Sequence, residues 1–191
     1  MKHTIPLIFQ KRHILPGGRI PIRVAPGPQM DAFKTALKQG DSFGVCMFDT
    51  DDTGHHFFGV CTRVTVEDFD TSMKDGALIA TVAGHEALQI ESLDEDDNGF
   101  FTAHCDSIPQ WPDTAVRHDQ EVLADKLKIM FTKHPELDNL HEDKQYHNLS
   151  WLCQRWLELL PVPASEKQAL IQAPNCQNTY DYLMSIMQKP H

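Results

Sequence analysis

Between Ile14 and Val24 the chain reads Ile-Leu-Pro-Gly-Gly-Arg-Ile-Pro-Ile-Arg-Val, a stretch that leaves its backbone little choice. Pro16 fixes its own φ near about -65°, and Gly17 and Gly18 supply the positive φ values that a tight reversal demands. After the turn, Ile20, Ile22 and Val24 share one parity and Arg19, Pro21 and Arg23 the other, the period of a half-buried strand with one face in the core. Pro21 has no N–H to give to a ladder, which puts this strand at a sheet edge or a bulge with Arg19 and Arg23 facing outward. Arg19, Ile20, Pro21, Ile22 and Arg23 are therefore the candidate binding segment. An exposed edge accepts an added peptide strand, and the two arginines favour acidic peptides. The stretch carries no catalytic group, so it points to binding and not to chemistry.

Thr4 to Phe9, with Pro6 near its start, reads as a first strand leading into this turn. Met30, Phe33, Ala36 and Leu37 then recur at helical spacing, with Asp31 in the first turn and Gly40 as the stop. Phe43 to Phe48 is an almost wholly apolar run, a strand covered on both faces. Phe57 to Val66 alternates, Asp75-Gly76 is a hairpin signal between Asp68 to Lys74 and Ala77 to Val82, Leu88 and Ile90 continue after Gly84, and Phe100 to Cys105 follows a polar loop. Six or seven short strands with one helix among them fit a closed or partly closed β-barrel better than a parallel α/β sheet.

Pro109 and Pro112 mark a joint, giving an expected barrel subdomain over 1–113 and a helical subdomain over 114–191. In the latter, Val116, Leu123, Leu127, Met130 and Phe131 predict a helix ended by Lys133-His134-Pro135, and a polar loop runs from His134 to Gln145. Leu149, Leu152, Trp156, Leu159 and Leu160 predict a second helix. Ser165 with Gln168 reads as a capping box for a third through Ile171, and Tyr180, Leu183, Met184 and Met187 predict a fourth. The fold class expected is α+β.

A formal net charge of -10 weighs against nucleic acid and acidic membranes as partners. No stretch approaches the roughly 20 apolar residues of a membrane span, and the short run Ile5 to Phe9 is no signal-peptide core, so a cytoplasmic protein is expected. Cys46, Cys61, Cys105, Cys153 and Cys176 are scattered in apolar sequence, as reduced core thiols are.

Asp94, Asp96, Asn98 and Gly99 open like a calcium loop, but the twelfth position is Cys105 and not a carboxylate. Asp49, Asp51, Asp52 and Gly54 fail likewise. His55 and His56 diverge if the chain is extended, and there is no Cys-x-x-Cys for zinc. Cys46 with His56 is the candidate for a thiol nucleophile, a cryptic hydrolase being the least favoured reading. Neither a phosphate loop nor a Gly-x-Ser-x-Gly elbow is present. No catalytic residue, metal or cofactor is expected.

Taken in order, Ile5-Pro6-Leu7, Leu15-Pro16-Gly17, Ile20-Pro21-Ile22, Phe43-Gly44-Val45, Gly59 with Arg63-Val64, and Gly84 resemble the amino-terminal LON domain of Lon proteases. Leu160-Pro161-Val162, Lys167-Gln168 and Tyr182-Leu183-Met184 are similar to the helical part of bacterial members. The chain departs from the family pattern at Ala25 to Gln29 and at Ala87. The resemblance implies a PUA-like β pseudobarrel followed by a helical subdomain. It also implies a stand-alone, non-catalytic module without ATPase or Ser-Lys protease that recognises unfolded or peptide substrates or a protein partner, in connection with ATP-dependent proteolysis. PUA-like barrels elsewhere bind RNA, which makes an RNA-binding module the alternative.

Overall fold

The computed structural model describes residues 2–40, 42–47, 59–71, 75–97 and 99–187. The chain divides into two compact units, Met1–Ile108 and Pro109–His191. The first holds strands β1 (Lys2–Gln10), β2 (Arg19–Val24), β3 (Ser42–Met47), β4 (Val60–Thr71), β5 (Leu78–Glu95) and β6 (Phe101–Ser107), with helix α1 (Pro28–Gln39) between β2 and β3. The sheet order is β2-β5-β4-β3-β1-β6, with β5 also pairing β6. One edge of β5 holds β4. Its other edge holds β2 along Leu78–Ala83 and β6 along Leu88–Glu95. The ring β5-β4-β3-β1-β6 thus closes on itself, and among the described residues β2 has one ladder, to β5. β1 and β3 run parallel and the other pairs antiparallel. This is the pseudobarrel of an α+β fold.

Two cores lie on opposite faces of β1 and β3. Ile8, Phe43 and Val45 meet Ile20, Ile22 and Val24 of β2 and Met30, Phe33 and Ala36 of α1. Ile5, Leu7 and Cys46, turned the other way, meet Cys61, Leu88, Ala103 and Cys105. That double burial is why β3 is apolar at nearly every position. Gly44 sits where a Cβ would stand 2.9 Å from Leu7 Cδ1, so the second core closes over it. Gly40, at φ 127°, ends α1 as its position in the sequence requires. Leu37, assigned to the apolar face of that helix, is instead 38% exposed.

Two strand boundaries differ from the sequence reading. β4 runs unbroken to Thr71, absorbing the change of phase between Val66 and Asp68 as a register shift. β5 runs straight through Gly84, because that glycine marks a close approach of backbone and not a turn. Gly76, at φ 73°, does turn the chain toward β5. Phe48 to Phe58, including Asp49, Asp51, Asp52, Gly54, His55 and His56, and also Asn98, lie outside the described residues.

The second unit contains a 3-10 turn (His118–Gln120) and helices α2 (Glu121–Lys133), α3 (Pro135–Asp138), α4 (Leu149–Leu159), α5 (Ala164–Ile171) and α6 (Gln177–Met187). Leu123, Leu127, Phe131, Leu152, Trp156 and Leu183 form its core. The segment read as a polar loop holds α3 and a buried His141, whose ring stacks on Phe131 at 5.6 Å and meets Trp151 edge-on at 5.8 Å. Asn148 caps α4 by accepting from Ser150 N–H at 3.2 Å. The expected cap at Ser165 is not used: α5 starts at Ala164 with Pro163 at the cap position, and a proline ring has no oxygen to accept a helix N–H. Among the described residues no helix is long and apolar enough to cross a membrane.

Candidate functional site

The turn before β2 is strapped to its neighbours. Gly18 N–H donates to Leu15 O, Gly17 N–H to Gly84 O, and Gly84 N–H to Gly18 O, each at 2.9 Å. The buried hydroxyl of Thr62 donates to Ile14 O at 2.8 Å. Gly17 has φ 79°, and a Cβ on Gly84 would lie 2.5 Å from Leu15 O. Glycine is therefore required twice, once for the bend and once for contact.

These bonds fix which way the β2 backbone faces. Gly18 O is turned to β5, so the even residues Ile20, Ile22 and Val24 pair with β5 and bury their side chains in the first core. The odd residues Arg19, Pro21 and Arg23 turn their backbone groups to the outer edge. Consistently, the Gln10 side chain donates to Arg23 O at 3.4 Å across that edge. Pro21, lacking an N–H, costs no ladder bond there.

The two arginines do face outward, but each holds a carboxylate of its own protein. Arg19 donates to Glu67 through Nε at 2.7 Å and Nη2 at 3.0 Å, and this fork holds the Glu67 carboxyl below its ordinary range. Arg23 pairs with Asp75. Sequence separation hides both partners, which lie on β4 and in the turn before β5.

Beside the outer edge opens a groove of about 570 Å³ between β2 and the end of β1. Phe9, Pro21, Ile22 and Ile79 give it an apolar floor, and Lys11, Arg12 and Arg23 a cationic rim. Ile79 lies across the ladder from Arg23 and is 41% exposed. Lys11 and Arg12 are exposed, and no carboxylate pairs with either among the described residues. Pro21, Ile22 and Arg23 thus belong to one site. Phe9, Lys11, Arg12 and Ile79 join it without having been singled out, although two cations directly after an apolar strand are a readable signal.

The other candidates lead elsewhere. Asp94 pairs with His104 at 2.6 Å, and the Asp96 carboxylate accepts Phe100 N–H at 2.8 Å, as in an ordinary turn. No His, Cys, Asp and Glu cluster able to hold a metal is found among the described residues. Cys61 lies 3.9 Å from Cys105, and that contact together with burial pushes the Cys61 thiol well up. Cys46 donates to Val60 O at 3.5 Å. The Cys61 thiol is thus held protonated, while His56, the candidate partner of Cys46, lies outside the described residues. Cys176 lines a separate groove in the helical unit, and a hydrogen bond from Cys153 holds its thiol down, to about 6. The nearby hydroxyls of Ser150 and Thr114 donate to Pro112 O at 2.6 and 3.0 Å.

A likeness of fold joins the chain to two solved structures. A Lon N-terminal domain protein from Xanthomonas campestris matches with TM-score 0.74 and 24% identity, over 98% of this chain and 99% of that one. The N-terminal domain of a Lon protease from the Mycobacterium avium complex matches with TM-score 0.66 and 12% identity, over 96% and 97%. No curated protein matches the chain. The family model of the ATP-dependent protease La (LON) substrate-binding domain matches residues 4–189, and on that near-complete match the chain belongs to the LON substrate-binding domain family.

Proposed function

We propose that this domain binds protein or peptide segments without transforming them, through the groove beside β2 and the segment Arg19, Ile20, Pro21, Ile22 and Arg23. The observation that carries the reading is an apolar floor with an exposed Ile79, set beside a strand that has one ladder among the described residues, in a chain of the substrate-binding family. An extended segment laid there meets side-chain pockets on the floor and backbone groups at the edge. In this reading the protein works in the cytoplasm, takes unfolded or peptide substrates or a partner protein, and is linked to ATP-dependent proteolysis.

The test is capture of a reduced, alkylated unfolded protein by immobilised domain, compared with an Ile79→Glu variant whose exposed position tolerates the change. Retention by the parent and loss of about tenfold in the variant is expected, since an apolar contact is replaced by a desolvated charge. Equal retention by both, or none by the parent, removes the groove from consideration. A salt-sensitive gel shift with RNA at physiological ionic strength would favour the RNA-binding alternative instead.

A further inference from the structure

From the groove's charge we infer that its occupant is an extended acidic-apolar segment, whose carboxylates are read by Lys11 and Arg12 while its apolar side chains rest on Phe9, Pro21 and Ile79. The inference rests on the binding role proposed above and adds the class of substrate. Three observations lead to it. The edge of β2 offers a poor ladder, because Pro21 has no N–H and the Gln10 side chain already occupies Arg23 O. Backbone pairing alone therefore discriminates little, and selectivity falls to side chains. The floor is apolar and partly exposed. Finally, Arg19 and Arg23 are each matched to a carboxylate, whereas Lys11 and Arg12 are exposed and without a carboxylate partner among the described residues. On a protein of net charge -10, two adjacent cations at the rim of an apolar groove, without a carboxylate partner among the described residues, make a local field opposite in sign to the net charge. That field steers and holds an acidic segment, and salt screens it. The cations that read acid in this proposal, Lys11 and Arg12, thus follow β1 and are not the arginines of β2.

The probe is a fluorescent decapeptide alternating leucine with glutamate, set against its leucine–glutamine counterpart, with binding read by anisotropy at low and near-physiological ionic strength. The acidic peptide is expected to bind about tenfold more tightly at low salt, with the margin shrinking as salt rises. Lys11→Glu with Arg12→Glu should abolish the margin, and Lys11→Ala with Arg12→Ala should reduce it. Lys133→Gln, which removes an exposed cation of the helical unit, should leave it within about twofold. Equal binding of the two peptides, or a margin that survives the double reversal, overturns the acidic preference and leaves the binding role standing. If neither peptide binds and unfolded protein is not captured, the binding role falls with it. Tighter binding of a single-stranded RNA oligonucleotide that depends on Lys11 and Arg12 would reassign the rim to a polyanion.

Discussion

Arg63, Thr65 and Glu67 alternate along β4 and so share its outer face, where the first two meet partners on the neighbouring β5 and Glu67 meets Arg19 of β2, one strand further on. Arg63 forks onto Glu86 at 2.8 and 2.9 Å, Thr65 Oγ1 lies 2.7 Å from His85 Nε2, and Glu67 takes the Arg19 fork. Burial, and then the charge of Arg63, pulls the His85 pKa below its ordinary 6.5, while the arginine hydrogen bonds pull Glu67 and Glu86 below 4.5. A histidine depressed on folding binds fewer protons than in the unfolded chain, so its contribution is present at neutral pH and fades as pH falls through 6.5 toward the folded value. The depressed carboxylates contribute above 4.5 and fade as pH falls through their folded values. The signs agree, and urea midpoints should drop on acidification in two stages. His85→Asn should flatten the upper stage and leave the lower one intact; an unchanged upper stage would show that His85 is not its source. Arg19→Gln should lower stability by less than about 1 kcal/mol, and less still in high salt, because both partners are partly exposed. A double-mutant cycle with Glu67→Gln measures that coupling directly.

At the scale of elements, the turn from Ile14 to Gly18 is held by two strands at once, through the backbone of Gly84 on β5 and the hydroxyl of Thr62 on β4. Gly84→Ala would drive a Cβ into Leu15 O at 2.5 Å, and backbone cannot swing aside as a side-chain tip can. The expected cost is about 2–3 kcal/mol, read as a lowered denaturation midpoint of the first unit. Thr62→Val keeps shape but leaves Ile14 O without its buried donor, at about 1–2 kcal/mol. The same contact explains what was legible beforehand. The parity of β2, the edge placement of Pro21 and the span of α1 are local properties, set by pleat, ring and helical period, and they were readable from residues adjacent in the chain. Gly84 was not. A glycine that breaks a strand and a glycine that admits a neighbour look the same until the neighbour is known, so one strand of 18 residues was read as two. The site divides on the same line. Pro21, Ile22 and Arg23 reach the groove through local alternation, whereas the neutralising of Arg19 by Glu67 spans 48 residues and no spacing rule announces it.

For the molecule as a whole, the helical unit carries a hydrophobic cluster of its own, drawn from Leu123, Leu127, Leu149, Trp156, Tyr180 and others of the same unit. At this size a chain buries just enough surface to fold unaided, so we propose that the helical part folds in isolation. Where the fragment begins then decides how stable it is. Ahead of residue 114, the Trp111 indole N–H donates to Ala173 O at 2.9 Å, and the Asp113 carboxylate accepts from Asn148 at 2.8 Å. Asn148 is also the cap of α4 and receives Thr114 N–H at 3.1 Å, so Asp113 holds in place the side chain that closes the helix end. A fragment spanning 114–191 loses the half-buried ring and this support together, whereas one spanning 109–191 keeps both. Each should show helical circular dichroism and a cooperative melt, with the longer fragment more stable by about 2–3 kcal/mol. Equal midpoints would mean that Trp111 and Asp113 contribute nothing to the helical core. A longer fragment without cooperative unfolding would mean that this core does not stand by itself.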